Sequence, residues 1–398
     1  MYRMTLRNHS RALSVLLALW VYTYALFYFV PLIIPSTTML MYLWLIVIDI
    51  LVIFHTKSLS KRAVGFIFVY TLIALVNVVV VSYKYYAAID AFSGLAVFLP
   101  ALLIISSSVF DLKDFLNIWQ KYAVFTTLIS PVAIILMQNG IIDYGVFTYL
   151  NLPNCIIFSY HIMAIPKGDS GRFKLLVMDL LNFIIILAFG GRMAAFAGAF
   201  SIFIGYMISS SVKLYKKCIL ILFVGIFGVI AINNLSVLLH YFEAILNKYN
   251  LSSRSLSLLL EQLESGNAGM YLTRRNVIYE EIVDYIVDRG GLPGGFGVSL
   301  NISDGQFYHP HNLFLQLAVM LGVIGEGIFI ILILYRLLLG KRTKLHYEYQ
   351  FTLLLLIEYL IISFTGGSIL NNYVAILGIG MVFFYRSKDQ SIRKSYGD

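Results

Sequence analysis

Apolar runs of roughly 17–22 residues recur along almost the whole chain, each long enough for a helix to cross about 30 Å of hydrocarbon. They fall near 13–30, 37–54, 63–82, 87–108, 121–138, 145–165, 173–190, 193–211, 217–235, 310–335, 350–367 and 369–385. The stretch 173–211 also reads as one long bent element. The runs are continuous and do not alternate, which excludes a transmembrane β-barrel. The expected fold is therefore all-α, a polytopic transmembrane helical bundle of about 12 spans. Composition agrees, since only 12% of the 398 residues are charged where a soluble chain carries about 25%. Mean hydropathy is +0.85.

Basic residues give the expected orientation. With the amino terminus in the cytoplasm, Arg3, Arg7 and Arg11 fall inside, followed by Lys57, Lys61 and Arg62. Lys213, Lys216, Lys217, Arg336, Lys341 and Arg342 also fall inside, as does the carboxy-terminal tail. Of 29 Lys and Arg, the outer side keeps Lys84, Arg192, Lys248, Arg254, Arg274, Arg275 and Arg289. This is the asymmetry of the positive-inside rule. The sequence pI near 9.3 thus reflects charges facing anionic lipid headgroups and calls for no nucleic-acid partner. Arginines precede the first run as in a signal peptide, but no small-residue cleavage site follows, so the run is expected to be retained. Cys155 and Cys218 fall on or near different spans and give no disulfide or metal pattern. No nucleotide-binding glycine loop is present, so energy for any work comes from the substrate or an ion gradient.

The expected organisation is nine spans in 1–235, a large extracytoplasmic loop bearing short helices in 236–309, three spans in 310–385, and a cytoplasmic tail in 386–398. A connection this long is usually functional or disordered, and two amphipathic patterns argue against disorder. Leu238, Leu239, Phe242, Ile245 and Leu246 lie at helical spacing within 236–249, which suits a helix on the membrane surface. Within 273–288, Val277, Ile278, Ile282, Ile286 and Val287 lie on one side and Glu280, Glu281, Asp284 and Asp288 on another. Gly290-Gly291-Leu292-Pro293-Gly294-Gly295-Phe296-Gly297 then breaks regular structure. Glycines there let backbone approach a ligand; the plain alternative is a helix-to-helix turn.

Three outer-face clusters could carry chemistry. Gly190-Gly191-Arg192 places a lone arginine between two apolar runs, either as a substrate ligand or as an interfacial anchor on a lipid phosphate. Thr273-Arg274-Arg275 opens an amphipathic helix, where guanidinium forks and a helix N-terminus both favour phosphate. Pairing with Glu280, Glu281 or a headgroup is the alternative. His309-Pro310-His311-Asn312 stands directly before the tenth run. Imidazole titrates near neutral pH and serves as a general base. Two histidines at i, i+2 also suggest metal ligation, but no further ligand completes a site of usual spacing. Helix capping is the simpler role.

His311-Asn312-Leu313-Phe314-Leu315-Gln316, followed by Leu321-Gly322-Val323-Ile324-Gly325, resembles the motif of the O-antigen polymerase and O-antigen ligase superfamily. Arg275 with Tyr279 is similar to that family's arginine four residues before an aromatic, although the family usually has tryptophan there. Pro293-Gly294-Gly295-Phe296-Gly297 and Gly191-Arg192 resemble two further family elements. The motifs cover about 190–335 and the topology covers the chain.

The resemblance implies a metal-independent, cofactor-free glycosyltransferase in the bacterial cytoplasmic membrane, both termini cytoplasmic, that polymerises undecaprenyl-diphosphate-linked repeat units. Its partners would be the lipid-linked donor and acceptor, membrane lipids and a chain-length regulator protein, with no nucleic acid. Implied catalytic residues are His311 as base and Arg275 and Arg192 on the diphosphate. Substrate-binding candidates are His309, Asn312, Arg274, Arg254, Tyr279, Gly295 and Gly297. The alternative within the family is a ligase that transfers finished glycan to another acceptor. From a different class, a lipid-linked glycan flippase also has about twelve spans, but it calls for pseudo-symmetric halves that the chain lacks. Four carboxylates within spans, Asp49, Asp179, Glu326 and Glu358, suit paired structural roles or the ion coupling of a transporter.

Overall fold

The computed structural model describes residues 2–29, 37–56, 60–164, 170–208, 212–264, 275–307, 309–343, 345–363 and 368–386. Among the described residues there are seventeen helices and no strand. Among the described residues, four helices are long and apolar enough to cross a membrane: α4 (Lys61–Val80), α5 (Lys84–Ser106), α6 (Leu112–Gln138) and α15 (Leu313–Thr343). Counting each bent pair as one span, α1 (Tyr2–Val21) with α2 (Thr23–Phe29) and α10 (Leu214–Asn233) with α11 (Leu235–Lys248), brings the number to six. This count of the described residues does not show the expected dozen. The apolar parts of α3 (Thr37–His55), α9 (Arg192–Ile208) and α17 (Tyr373–Phe383) are short. Polar residues interrupt the others: Asn151 and Asn154 in α7 (Gly145–Ala164), Arg172, Lys174 and Asp179 in α8 (Ser170–Phe189), and Glu348 and Glu358 in α16 (His346–Ser363).

Exposed apolar surface is what makes the chain consistent with a membrane protein. Only Ala63 is buried along α4, while Phe68, Val79 and Val80 are largely exposed. Soluble monomers rarely show apolar faces of this extent, whereas lipid solvates them without cost.

The chain divides into two compact units. The first comprises residues 1–21, 38–119 and 274–398. Its α5 packs against α1, α4, α17 and the short α14 (Val298–Ile302). The Trp20 indole donates to the Val97 carbonyl at 2.8 Å, tying α1 to α5. Gln316 of α15 bonds Ser368 at 2.7 Å and accepts from the Ile369 amide at 3.1 Å, so the ends of its side-chain amide fix the segment before α17.

The second unit comprises 22–37 and 120–273. Here α7 is buried from Leu150 to His161 and packs on α8, α9 and α2. At its Gly145 end, Phe147, Leu150, Ile185 and Phe189 share a core with Leu256 and Leu260 of α12 (Arg254–Glu264). Gly190 and Gly191 break α8 from α9, so 173–211 is two helices.

The segment 236–309 is not a single module. Its helices α11 and α12 belong to the second unit, and α13 (Arg275–Asp288) and α14 belong to the first. The amphipathic expectation for α13 holds in part. Ile278 and Ile282 are buried and Ile286 packs beside them, but Val277 and Val287 are exposed. Tyr279 and Tyr285 complete the buried stripe instead. Arg274 and the tail from 387 onward lie outside the described residues.

Candidate functional site

The glycine-rich turn is built in two steps. Gly290 and Gly291, at φ +61° and +75°, close α13. The Gly290 amide donates to Val287 O and the Gly291 amide to Ile286 O, each at 2.8 Å. This pair of bonds is a Schellman closure, which needs a left-handed residue that glycine adopts freely. The turn then meets a break in α15, where Gly322 takes φ 73°, ψ 161°. That break withdraws normal helical partners from nearby backbone groups. The turn supplies them: Gly294 N to Val319 O at 2.8 Å, Gly295 N to Met320 O at 3.0 Å, and Val323 N to Gly291 O at 3.0 Å. Both motifs noted in the sequence therefore form one joint.

Residues from α4, the following connection and α5 complete it. Asn77 Oδ1 accepts from the Phe296 amide at 3.1 Å, and Asp90 Oδ2 accepts from the Gly297 amide at 2.9 Å. The Tyr83 hydroxyl donates to Gly294 O at 2.5 Å, and burial raises its pKa above the ordinary phenol value. A Cβ at Gly295 would collide with the Asn77 amide, and one at Gly297 with the backbone of Tyr86 and Ala87. The close approach these glycines permit is thus to their own chain.

Downstream lie the histidines. His309 and His311 are both half-buried, with ring centroids 4.4 Å apart, and Phe307 meets the His311 ring edge-on at 6.2 Å. His311 holds φ +56°, a left-handed backbone for a non-glycine residue. Its carbonyl accepts from the Tyr279 hydroxyl at 3.4 Å, which links the start of α15 to α13. Arg275 is the first residue of α13, one turn before Tyr279. Asn312 caps α15: its Oδ1 accepts from the amides of Phe314 and Leu315 at 3.0 and 3.2 Å. Among the described residues no three His, Cys, Asp or Glu side chains are grouped to hold an ion.

Arg192 and Arg254 lie in the second unit, at the first residues of α9 and α12. Two helix N-termini meet there, because the Ser255 hydroxyl donates to Gly190 O at 2.6 Å. Such ends present unpaired amides and positive dipole ends. Arg254 is exposed, its guanidinium 5.6 Å from the centre of the Tyr144 ring.

The structure thus gathers His309, His311, Asn312, Tyr279, Gly295, Gly297 and the start of α13 in one unit, and Arg192 with Arg254 in the other. Sequence reading missed Asn77, Tyr83 and Asp90. The four carboxylates named within spans leave out Asp90, although a lone acid in the run 87–108 was visible. No family model, curated protein or solved structure matches the chain.

Proposed function

We propose that this chain is a multi-pass membrane glycosyltransferase that polymerises polyprenyl-diphosphate-linked oligosaccharides into a surface polysaccharide. In this reading it lies in a bacterial cytoplasmic membrane with both termini inside, carries about twelve spans, and works on the outer face. The supporting observation is the contact between Tyr279 and the His311 carbonyl. It joins the histidine pair to a helix whose first turn carries Arg275, so the residues proposed as base and as phosphate ligand belong to neighbouring elements.

The chemistry balances without a nucleotide. An acceptor hydroxyl oxygen attacks the anomeric carbon of the donor, and the bond from that carbon to diphosphate breaks. Diphosphate leaves with the electron pair, and His311 takes the hydroxyl proton. Arg275 stabilises charge growing on the leaving group, a contribution of a few kcal/mol where water is sparse. Tyr279 holds the backbone that carries the imidazole. Arg192 and Arg254 are the phosphate-binding candidates of the second unit.

The test uses purified protein in lipid with lipid-linked repeat units, followed by polymer length and donor retention. His311→Ala should abolish elongation, a loss of about 10²–10⁴-fold, while donor retention persists. His309→Ala should leave measurable activity. A folded His311→Ala protein that still makes long polymer removes His311 as the base. Glycan transfer to a different acceptor without elongation would identify a ligase, and net transbilayer movement without bond formation would identify a flippase.

A further inference from the structure

The second unit contains a polar strip that the proposed chemistry does not use. Asn182 of α8 accepts through Oδ1 from Asn151 at 2.8 Å and Asn154 at 2.9 Å, and donates to Thr127 Oγ1 at 2.8 Å. Asn154 in turn accepts from the Tyr22 hydroxyl at 2.5 Å and the Thr126 hydroxyl at 3.0 Å. These groups are neutral. One turn before Asn182, the strip holds a carboxyl group: Asp179, with no solvent exposure. Its Oδ2 accepts from the Ser159 hydroxyl at 2.8 Å, and its Oδ1 has no hydrogen-bond partner among the described residues.

Ser159 has a second neighbour. It lines a cavity of about 400 Å³ together with Arg172, Phe173, Leu176, Ile202 and Tyr206. Ser159 therefore stands between a buried acid and a space large enough for water. Titratable groups around Asp179 are few. From α7 the Cys155 sulfur lies 3.9 Å from the Asp179 backbone carbonyl oxygen and also interacts with its carboxyl group, and His161 follows Ser159 by two residues on that helix. Arg172 precedes Asp179 by two turns on α8, and Tyr206 comes from α9 across the cavity. The α6 contact is neutral Thr127, and α12 meets α8 through Leu256 and Leu260. Among the described residues no cation forms an ion pair with this carboxyl group.

We propose that Asp179 is a proton-binding site, loaded and unloaded through Ser159 from the cavity lined by Arg172 and Tyr206. A bare carboxylate with one oxygen unpaired is costly in this surrounding, and a bound proton removes the charge. With the proton on Oδ2, the 2.8 Å contact runs in reverse: the acid donates to Ser159 Oγ, and the serine hydrogen turns to cavity water. Release is then one concerted shift, in which the acid proton passes to Ser159 Oγ and the serine proton to water. A metal cation suits the place poorly, because it needs several oxygens at once and the nearby Asn182 oxygen already accepts two bonds. This inference is independent of the glycosyltransferase reading.

Infrared spectroscopy of the full chain in lipid tests it. At neutral pH, the wild-type minus Asp179→Asn difference spectrum should show a carboxylic-acid carbonyl band that fades as pH rises. The band should shift on transfer to D₂O, and Ser159→Ala should slow that shift about tenfold. A difference spectrum with only carboxylate bands, or exchange equally fast in Ser159→Ala, overturns the proposal. Wild-type protein gives a second measurement should the variants fail to fold. A hydrophobic carbodiimide, which couples to protonated acids, should modify Asp179 at neutral pH and progressively less at alkaline pH. No adduct at any pH would also overturn it.

Discussion

The backbone amide of Gly297 donates to Oδ2 of Asp90 at 2.9 Å, joining residues 207 positions apart in sequence. Asp90 is buried, so removing its acceptor strands an amide away from water. Asp90→Ala should lower stability by about 1–3 kcal/mol. Asp90→Asn keeps an acceptor oxygen and should remain near wild type. Thermal unfolding of both variants in detergent checks this. Equal destabilisation would show that the negative charge matters, and not the acceptor.

Two glycines of the same turn should respond differently to a methyl group. Gly290 has φ +61° and open space around its missing side chain, so Gly290→Ala should cost about 1 kcal/mol of left-handed strain. Gly297 has φ +71°, and its Cβ would enter the Tyr86 and Ala87 backbone. Gly297→Ala should therefore prevent accumulation of folded protein in the membrane. Comparing membrane yields and unfolding temperatures separates the two cases, and similar behaviour would refute the packing argument.

Asn312 has a structural duty that bears on its proposed role. Its side chain caps α15 through two backbone amides. Asn312→Ser and Asn312→Asp preserve a capping oxygen, whereas Asn312→Ala loses it at about 1 kcal/mol. We expect the Ser and Asp variants to keep both stability and elongation, with Ala reduced in stability. A well-folded but inactive Ser variant would place the amide on the substrate instead.

Much of the helical pattern was legible in sequence because each helix is a local event. The runs 63–82, 145–165 and 173–190 lie within a few residues of α4, α7 and α8, and the surface pattern 236–249 became α11. Span number was harder to read. Length and hydrophobicity alone do not reveal that Asn151 and Asn154 both donate to Asn182 inside a bundle. The site showed the same division. The glycine cluster announced a turn, but its partners Asn77 and Asp90 are more than 200 residues away, and no periodicity encodes such a pairing. Likewise, the run 310–335 reads as one helix, while Gly322 breaks it where the turn can dock.

Orientation is the remaining expectation that an experiment decides directly. It rests on the unequal distribution of Lys and Arg, each worth about 1 kcal/mol near an anionic leaflet. Cys155 is buried and Cys218 exposed, so a Cys218→Ser background leaves no reactive native thiol. On it, Glu261→Cys reports α12 and Lys341→Cys reports the far end of α15. In intact cells, a membrane-impermeant maleimide should label the first and not the second, and permeabilisation should expose both. The proposed function requires this sense, because the diphosphate-linked donor and the histidine pair must share the outer face. Labelling of Lys341→Cys alone in intact cells would invert the topology and put His311 on the wrong side of the membrane for that chemistry.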